Sequence, residues 1–93
     1  MMQIDDFEWD ERKRAINIEK YGLDFIEART LFSNPHLRGA AKSKDAEQRE
    51  LATGLTDGVY VTVVFTMRGS AKRIISMRRA RDGERRKYQK IFS

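Results

Sequence analysis

The run of residues 59–66 reads VYVTVVFT and is the clearest strand in the sequence. Successive side chains of a strand point to opposite faces of a sheet. The alternation therefore predicts a core face made of Val59, Val61, Val63 and Phe65. The opposite face is predicted to carry Tyr60, Thr62, Thr66 and Arg68. A sheet with one core face and one polar face is thus expected at the centre of the fold.

Turn and capping signals on either side of this run predict the remaining elements. The Asp57-Gly58 turn pairs a strand over 59–68 with one over 46–54, and Gly69-Ser70 leads into a third strand over 72–79. Upstream, we predict a strand over 7–9, a helix over 11–21 capped by Asp10 and ended by Gly22, a helix that begins at Asp24 and stops at Asn34-Pro35, and a short strand over 36–41. A final helix over 83–91 is predicted to have Asp82 as its cap.

These elements predict one α+β domain over residues 1–93. Its small antiparallel sheet is flanked by two N-terminal helices and a basic C-terminal helix. Parallel strands need crossover connections, and no helix fits between residues 46 and 79. A chain of 93 residues is long enough for a single modest core.

The composition excludes several classes of protein. The chain has no cysteine, which removes disulfides, thiol chemistry and cysteine-ligated zinc, and a reducing cytoplasm is the expected location. No stretch approaches the roughly 18 apolar residues of a membrane helix. The acidic N-terminus, MMQIDDFEWDE, lacks the apolar segment of a signal peptide.

The net charge of +5 is concentrated in the last third of the chain. Residues 1–66 contain 9 Lys/Arg and 12 Asp/Glu, whereas residues 67–93 contain 10 Lys/Arg and 2 Asp/Glu. A basic segment of this kind favours a polyanionic partner such as nucleic acid, because phosphate neutralisation releases condensed counterions. An acidic protein partner and a solvated surface helix are the two alternatives.

An ordered set of motif residues runs through more than 80 positions of the sequence. It comprises Phe7-x-Trp9-Asp10-x-x-Lys13-x-x-x-Asn17-x-x-Lys20-Tyr21-Gly22-x-x-Phe25-x-x-Ala28, Phe32-x-x-Pro35, Glu47-x-Arg49, Gly54, Thr66-x-Arg68, Arg73-Ile74-Ile75-Ser76-x-Arg78-x-Ala80 and Glu84-Arg85-x-x-Tyr88. In this order the motifs resemble the BrnT family of bacterial toxins. Two positions depart from the family pattern: Tyr21 stands where His is usual, and Met77 stands where a small residue is usual.

The resemblance implies a fold, an activity and a set of partners. The fold would be that of RelE-like ribonucleases, and the activity would be a metal-independent endoribonuclease without a cofactor, whose cleavage of RNA inhibits translation. The toxin would be neutralised by a DNA-binding ribbon–helix–helix antitoxin of the BrnA type. Operator DNA would be bound only through the toxin–antitoxin complex, and no membrane would be involved.

The residue types narrow the chemistry that such a ribonuclease could use. RNA supplies its own nucleophile, the 2′-hydroxyl, so the protein must orient it, stabilise the phosphorane and move protons. A two-histidine mechanism is excluded because His36 is the only histidine. The basic third holds only Asp82 and Glu84 as acidic metal ligands, which does not favour a metal site there. Arginines remain as phosphate ligands, with Lys, Glu or Tyr for proton transfer.

Strand alternation provides the candidate residues. We hypothesise that Arg49, Arg68 and Arg78 surround the scissile phosphate and that Glu47, on the same side of its strand as Arg49, is the general base. Regular alternation of the last strand predicts one face with Ile74, Ser76 and Arg78, and an opposite face with Arg73 and Arg79. The alternative for Glu47 and Arg49 is a structural ion pair, and the alternative for Arg78 is a surface charge on an edge strand.

Further residues are candidates for RNA binding: Lys13, Lys20, Arg73, Arg79, Arg85 and Tyr88. Plain solvation is the alternative for the lysines, a salt bridge to a helix carboxylate for Arg73, and packing of the last helix onto the sheet for Tyr88. Two other functions stay open for the chain as a whole. One is a non-catalytic module that binds nucleic acid or docks an antitoxin, and the other is a toxin with impaired catalysis.

Overall fold

The computed structural model describes residues 2–4, 6–41 and 48–92, with side chains from residue 6 onward. The elements in chain order are β1 (Met2–Ile4), β2 (Phe7–Trp9), α1 (Glu11–Tyr21), a 3-10 turn (Phe25–Glu27), α2 (Ala28–Ser33), β3 (His36–Ala41), β4 (Arg49–Thr56), β5 (Val59–Arg68), β6 (Ala71–Arg79) and α3 (Asp82–Phe92). Glu47 and the first residues of the predicted strand over 46–54 lie outside the described residues. None of the helices in these ranges is long and apolar enough to cross a membrane.

The strands form one sheet in the order β1-β2-β6-β5-β4-β3. The predicted antiparallel meander over β3 to β6 is confirmed. Its β4–β5 turn has Asp57 at φ +50° and Gly58 at φ +77°, the left-handed pair that a two-residue hairpin requires.

The prediction of a wholly antiparallel sheet is wrong, because β2 pairs with β6 in parallel, with Phe7 opposite Lys72 and Trp9 opposite Ile74. Consecutive strands of the meander have no helix between them and are antiparallel, as predicted. The connection from β2 to β6 runs through α1, α2 and three strands, so it is long enough for a parallel pairing. The fold is therefore α+β with a mixed sheet.

The core lies between one face of this sheet and the N-terminal helices. The predicted core face of β5 is confirmed, since Val61, Val63 and Phe65 are 0 % exposed and Val59 is half-buried. The residues that meet it are Phe7, Trp9, Phe25, Ala28, Leu31, Ala52, Ile74 and Met77. Burial of this continuous apolar surface is the main force that holds the 3-10 turn and α2 on the sheet, whereas the buried residue of α1 is the polar Asn17.

Helix α1 is attached to β6 through a buried side-chain amide. The pairing of β2 with β6 ends at Ile74, so the edge of β6 beyond that residue needs other partners. Asn17 provides them: its Oδ1 accepts from the Met77 N–H at 3.1 Å, and its Nδ2 donates to the Met77 and Leu23 carbonyls at 2.9 Å each. One side chain thereby continues the sheet edge and fixes the end of α1.

The ends of α1 follow the predicted capping signals. Asp10 accepts a hydrogen bond from the Arg12 N–H at 2.8 Å, and Gly22 adopts φ +69° at the C-terminal end. The segment that begins at Asp24 differs from the single predicted helix, because it is a 3-10 turn followed by the short helix α2. Asp24 still caps this turn, and its carboxylate also accepts from Arg14 at 2.7 and 2.9 Å.

Helix α3 lies on the other face of the sheet, opposite α1 and α2. Its N-cap is Arg81, whose carbonyl accepts the first helical hydrogen bond from the Arg85 N–H at 2.9 Å. The cap is therefore one residue earlier than the predicted Asp82, which is the first residue of the helix. Tyr88 holds α3 on the sheet by packing edge-on against Tyr60 of β5, with ring centroids 5.6 Å apart.

Candidate active site

The candidate site lies on the polar face of the sheet, partly beneath α3. Thr62 and Thr66 point from β5 to this face, as predicted, and both are buried. Thr53 of β4 lies directly opposite Thr62, and their hydroxyls are 2.8 Å apart. Arg78 of β6 lies opposite Thr62 on the other side. A row of polar groups thus crosses three strands under the N-terminal turn of α3.

An irregularity in the β5–β6 ladder changes the prediction for Arg73. Arg73 lies opposite Thr66 and Arg78 lies opposite Thr62, so both arginines share the polar face. The prediction that Arg73 lies opposite Arg78 is wrong, and so is the prediction that Ile74, a core residue, shares its face. The reason is a β-bulge, in which one extra residue of β6 inverts the alternation on one side of it.

Arg78 and Glu84 form the strongest ion pair in the described part of this face. The Nη1 of Arg78 donates to Oε1 of Glu84 at 2.8 Å, and its Nη2 donates to Oε2 at 3.0 Å. The side chains are 18 % and 20 % exposed, so the pair is largely shielded but still reached by solvent. Glu84 Oε1 also accepts from the Thr62 hydroxyl at 2.9 Å and from the Arg81 N–H at 2.8 Å.

These contacts fix the charges of the pair. The hydrogen bonds from Arg78 lower the pKa of Glu84 to about 2, against the opposing effect of burial. The pKa of Arg78 is raised, mainly by its hydrogen bonds to Glu84 and against the opposing effect of burial. Glu84 is therefore ionised and already hydrogen-bonded at neutral pH, so it acts as an anchor for Arg78 rather than as a proton acceptor. Tyr21, at the end of α1, is 41 % exposed.

A cationic groove lies between α1 and β6. Its volume is about 180 Å³, and it is lined by Lys13, Ile16, Asn17, Lys20, Tyr21, Ile75 and Ser76. Lys13 and Lys20 are both exposed and flank the same groove, as their spacing of seven residues predicts for one helix face. The Lys20 ammonium lies 5.1 Å from the centre of the Tyr21 ring.

Two further candidates lie toward the other end of the polar face. Arg68, at the end of β5, is exposed beside a cleft of about 300 Å³ that is also lined by Gln48, Glu50, Thr66 and Met67. Arg49 is half-buried at the start of β4, on the side of Thr53 by alternation. Four positions of β5 separate Thr66 from Thr62, which places this end of the face about 13 Å from the level of Arg78. The predicted general base, Glu47, lies outside the described residues.

The remaining RNA-binding candidates occupy separate positions. Arg79 is exposed at the end of β6 and, opposite Val61, belongs to the other face of the sheet. Arg85 is exposed on α3 and lies 3.5 Å from Asp82. Tyr88 is 7 % exposed between Tyr60 and Phe92, and this position favours the packing alternative.

Sequence reasoning did not identify Glu84 as the partner of Arg78, or Thr62 as a second support of Glu84. The available signal was the position of Glu84 three residues after a helix N-cap, where a glutamate side chain turns back toward the cap. That geometry holds Glu84 against the end of β6. Among the residues with described positions, no group of three or more His, Cys, Asp or Glu side chains could hold a metal ion.

The chain was compared with the curated proteins and with models of protein families. A search of the curated proteins found no significant match to the chain. A family model described as the ribonuclease toxin BrnT of type II toxin–antitoxin systems matches residues 9–84, about four fifths of the sequence. The matched range begins at the end of β2 and ends at Glu84, so it contains α1, the whole meander and the Arg78–Glu84 pair. The resemblance found in the sequence is confirmed, and the chain belongs to the BrnT family of ribonuclease toxins.

Proposed function

We propose that this toxin is a metal-independent endoribonuclease that cleaves RNA through the 2′-hydroxyl, with Arg78 as a ligand of the scissile phosphate. The observation that carries the proposal is the guanidinium of Arg78. It is held by Glu84 on a polar sheet face that also carries Arg49, Arg68 and Arg73. A planar, permanently charged guanidinium matches phosphate oxygens and stabilises the charge of a phosphorane.

The proposed reaction needs no external nucleophile. The 2′-oxygen attacks phosphorus, the bond from phosphorus to the 5′-oxygen breaks, and a 2′,3′-cyclic phosphate remains. A base must take the 2′-proton and an acid must give a proton to the 5′-oxygen. Glu84 does not suit the role of base, because its low pKa and its hydrogen bonds hold it as an ionised partner of Arg78. We therefore retain Glu47 as the proposed base, and Arg49 and Arg68 as further phosphate ligands.

The RNA strand is proposed to continue from Arg78 along the cationic groove of α1. Lys13 and Lys20 flank this groove and would contact neighbouring phosphates. Arg73 lies on the polar face itself, whereas Arg79 belongs to the other face of the sheet and Arg85 is exposed on α3. Contacts of this type make RNA binding strongly salt-dependent, because each neutralised phosphate releases counterions.

The biological setting is proposed from family membership. The toxin would act in the cytoplasm, have a RelE-like fold and inhibit translation by cutting RNA. A ribbon–helix–helix antitoxin of the BrnA type would neutralise it and bind operator DNA together with it. Co-expression with such an antitoxin should relieve growth arrest by the toxin, and arrest that persists in a stable complex would contradict this part of the proposal.

The activity is tested with purified protein and end-labelled RNA in excess EDTA. Wild type should cut and leave 2′,3′-cyclic phosphate ends, whereas Arg78→Ala should still fold and bind RNA but cut at least 100-fold more slowly, in line with the loss of one charge-stabilising donor. Arg12→Ala is the matched control, since it removes an exposed arginine of α1 outside the groove. If wild type binds RNA but never cuts it, with or without ribosomes, the chain is a non-catalytic binding or docking module instead.

A further inference from the structure

Within the described residues, the guanidinium of Arg78 makes hydrogen bonds only through its two terminal nitrogens. Its two terminal nitrogens donate to the two carboxylate oxygens of Glu84, and Nη1 also donates a longer bond of 3.4 Å to the Arg79 carbonyl. A guanidinium has five N–H groups in a fixed plane. In the described part of the chain, the Nε–H and the second hydrogen of Nη2 make no hydrogen bond. These two parallel donors form a second fork, with the geometry that matches two phosphate oxygens.

Glu84 is itself held in place independently of Arg78. The Thr62 hydroxyl donates to it at 2.9 Å and the Arg81 N–H donates at 2.8 Å. Thr62 is 0 % exposed, and its hydroxyl also contacts that of Thr53 at 2.8 Å. The contact with Arg81 is one half of a capping box, in which a glutamate at the third helical position turns back to the N-cap. The carboxylate is thus fixed by a strand and by the start of α3.

We infer that Glu84 is a positioning residue, which clamps one edge of Arg78 so that its Nε–Nη2 edge is presented to the RNA phosphate. This inference rests on the proposed function. Side-chain freedom in an arginine is large, and holding it in one geometry before substrate arrives removes an entropic penalty from the reaction. Glu84 also balances the charge of Arg78 while the site is empty, so the guanidinium can remain in a largely shielded position.

The rival interpretation is that Glu84 occupies the place of the phosphate and must be displaced by RNA. Two observations oppose it. Displacement would break four hydrogen bonds of Glu84, two of which do not involve Arg78. The Nε–Nη2 edge offers a phosphate two parallel donors without any displacement. The two interpretations predict opposite effects when the carboxylate is removed.

Single-turnover cleavage of RNA distinguishes the two interpretations of Glu84. Glu84→Gln keeps the shape of the side chain but removes its charge. It should lower the cleavage rate constant about 100-fold, which is the effect of a misplaced catalytic group. The RNA concentration at half-saturation should change by less than about threefold. Asp82→Asn is the matched control, because it removes a carboxylate from the same turn of α3 that does not contact Arg78. Tighter RNA binding with an unchanged or faster rate in Glu84→Gln would overturn the inference in favour of competition.

A second variant and an NMR measurement keep the inference testable if Glu84→Gln misfolds or if the wild-type protein does not cut RNA. Thr62→Val removes one support of Glu84 without touching Arg78, and it should lower the rate in the same direction but less. In ¹⁵N NMR, the Nε–H signal of Arg78 should shift when a 2′-O-methyl RNA dinucleotide, which cannot be cut, is added to wild type. Glu84→Gln should broaden that signal and weaken its response. Because no cleavage is needed, an unresponsive Nε–H signal refutes the inference, whereas a responsive signal in a protein that never cuts RNA refutes only the proposed function.

Discussion

The amide of Asn17 makes the sharpest stability prediction, because one side chain satisfies three main-chain groups. Asn17 is 4 % exposed, and Met77, whose N–H and carbonyl it pairs, is fully buried. In Asn17→Ala these two groups lose their partners where water does not reach, and each unsatisfied group costs about 1–3 kcal/mol. The Leu23 carbonyl is half-buried and can be rehydrated. We expect a total loss of roughly 3 kcal/mol in the free energy of unfolding.

Urea unfolding followed by circular dichroism measures this loss. A loss of that size corresponds to a fall of roughly 15 °C in Tm for a domain of this length. Ile16→Ala is the matched control, because the neighbouring side chain of α1 is 60 % exposed and should contribute less than about 0.5 kcal/mol. Asn17→Asp keeps the acceptor for the Met77 N–H but loses the donor, so it should also destabilise. A loss below about 1 kcal/mol in Asn17→Ala would refute the role of the amide as a substitute for a strand partner.

Three further perturbations test other parts of the fold. The folded-state pKa of Glu84, about 2, lies below the ordinary 4.5, so its contribution to stability is present above pH 4.5 and lost as the pH falls toward 2. Urea titrations between pH 5 and 2.5 should show a steeper fall for wild type than for Glu84→Gln, and parallel curves would contradict this. Gly54→Ala should destabilise by about 1–3 kcal/mol, since its Cβ would lie 3.3 Å from Leu31 Cγ and 3.3 Å from the Pro35 carbonyl oxygen. Gly39→Ala, with open space around it, should be nearly neutral, and similar thermal shifts for the two variants would argue against the close packing at Gly54. Arg14→Ala should slightly lower the free energy of unfolding by removing the ion pair to Asp24, and a loss that does not shrink in 1 M salt would point to packing instead.

The features that could be predicted from the sequence are those set by neighbouring residues. The hairpin follows from Asp57-Gly58, because few residue pairs tolerate two left-handed conformations in succession. The core face of β5 follows from Val59, Val61, Val63 and Phe65, the apolar residues at every second position. The limits of α1 follow from Asp10 and Gly22, whose capping contacts lie within four residues. In each case the physical cause lies within a short span of chain.

The features that could not be predicted depend on contacts between distant residues. The three residues of β2 carry no sign of which edge they join, so their parallel pairing with β6 becomes visible only in the folded sheet. The face of Arg73 depends on one inserted residue in β6, which inverts a pattern of period two. The partnership of Arg78 with Glu84 depends on how the chain turns from β6 into α3. The second feature changed the set of residues on the polar face, and the third supplied the anchor of the candidate site.

Whether the arginines of the polar face act together is a question that a double-mutant cycle can answer. Arg68 lies six positions along β5 from Thr62, the residue opposite Arg78, so the levels of the two arginines are separated by about 20 Å. Substitutions more than about 7–10 Å apart are usually additive. If their long side chains converge on one scissile phosphate, as proposed, they share a partner. The double variant Arg68→Ala/Arg78→Ala should then lose at least about 0.5 kcal/mol less transition-state stabilisation than the single variants together. Arg12→Ala combined with Arg78→Ala is the control pair and should be additive. Additivity for Arg68 and Arg78 as well would place them on different phosphates of the RNA and would leave Arg78 as the ligand that Glu84 prepares.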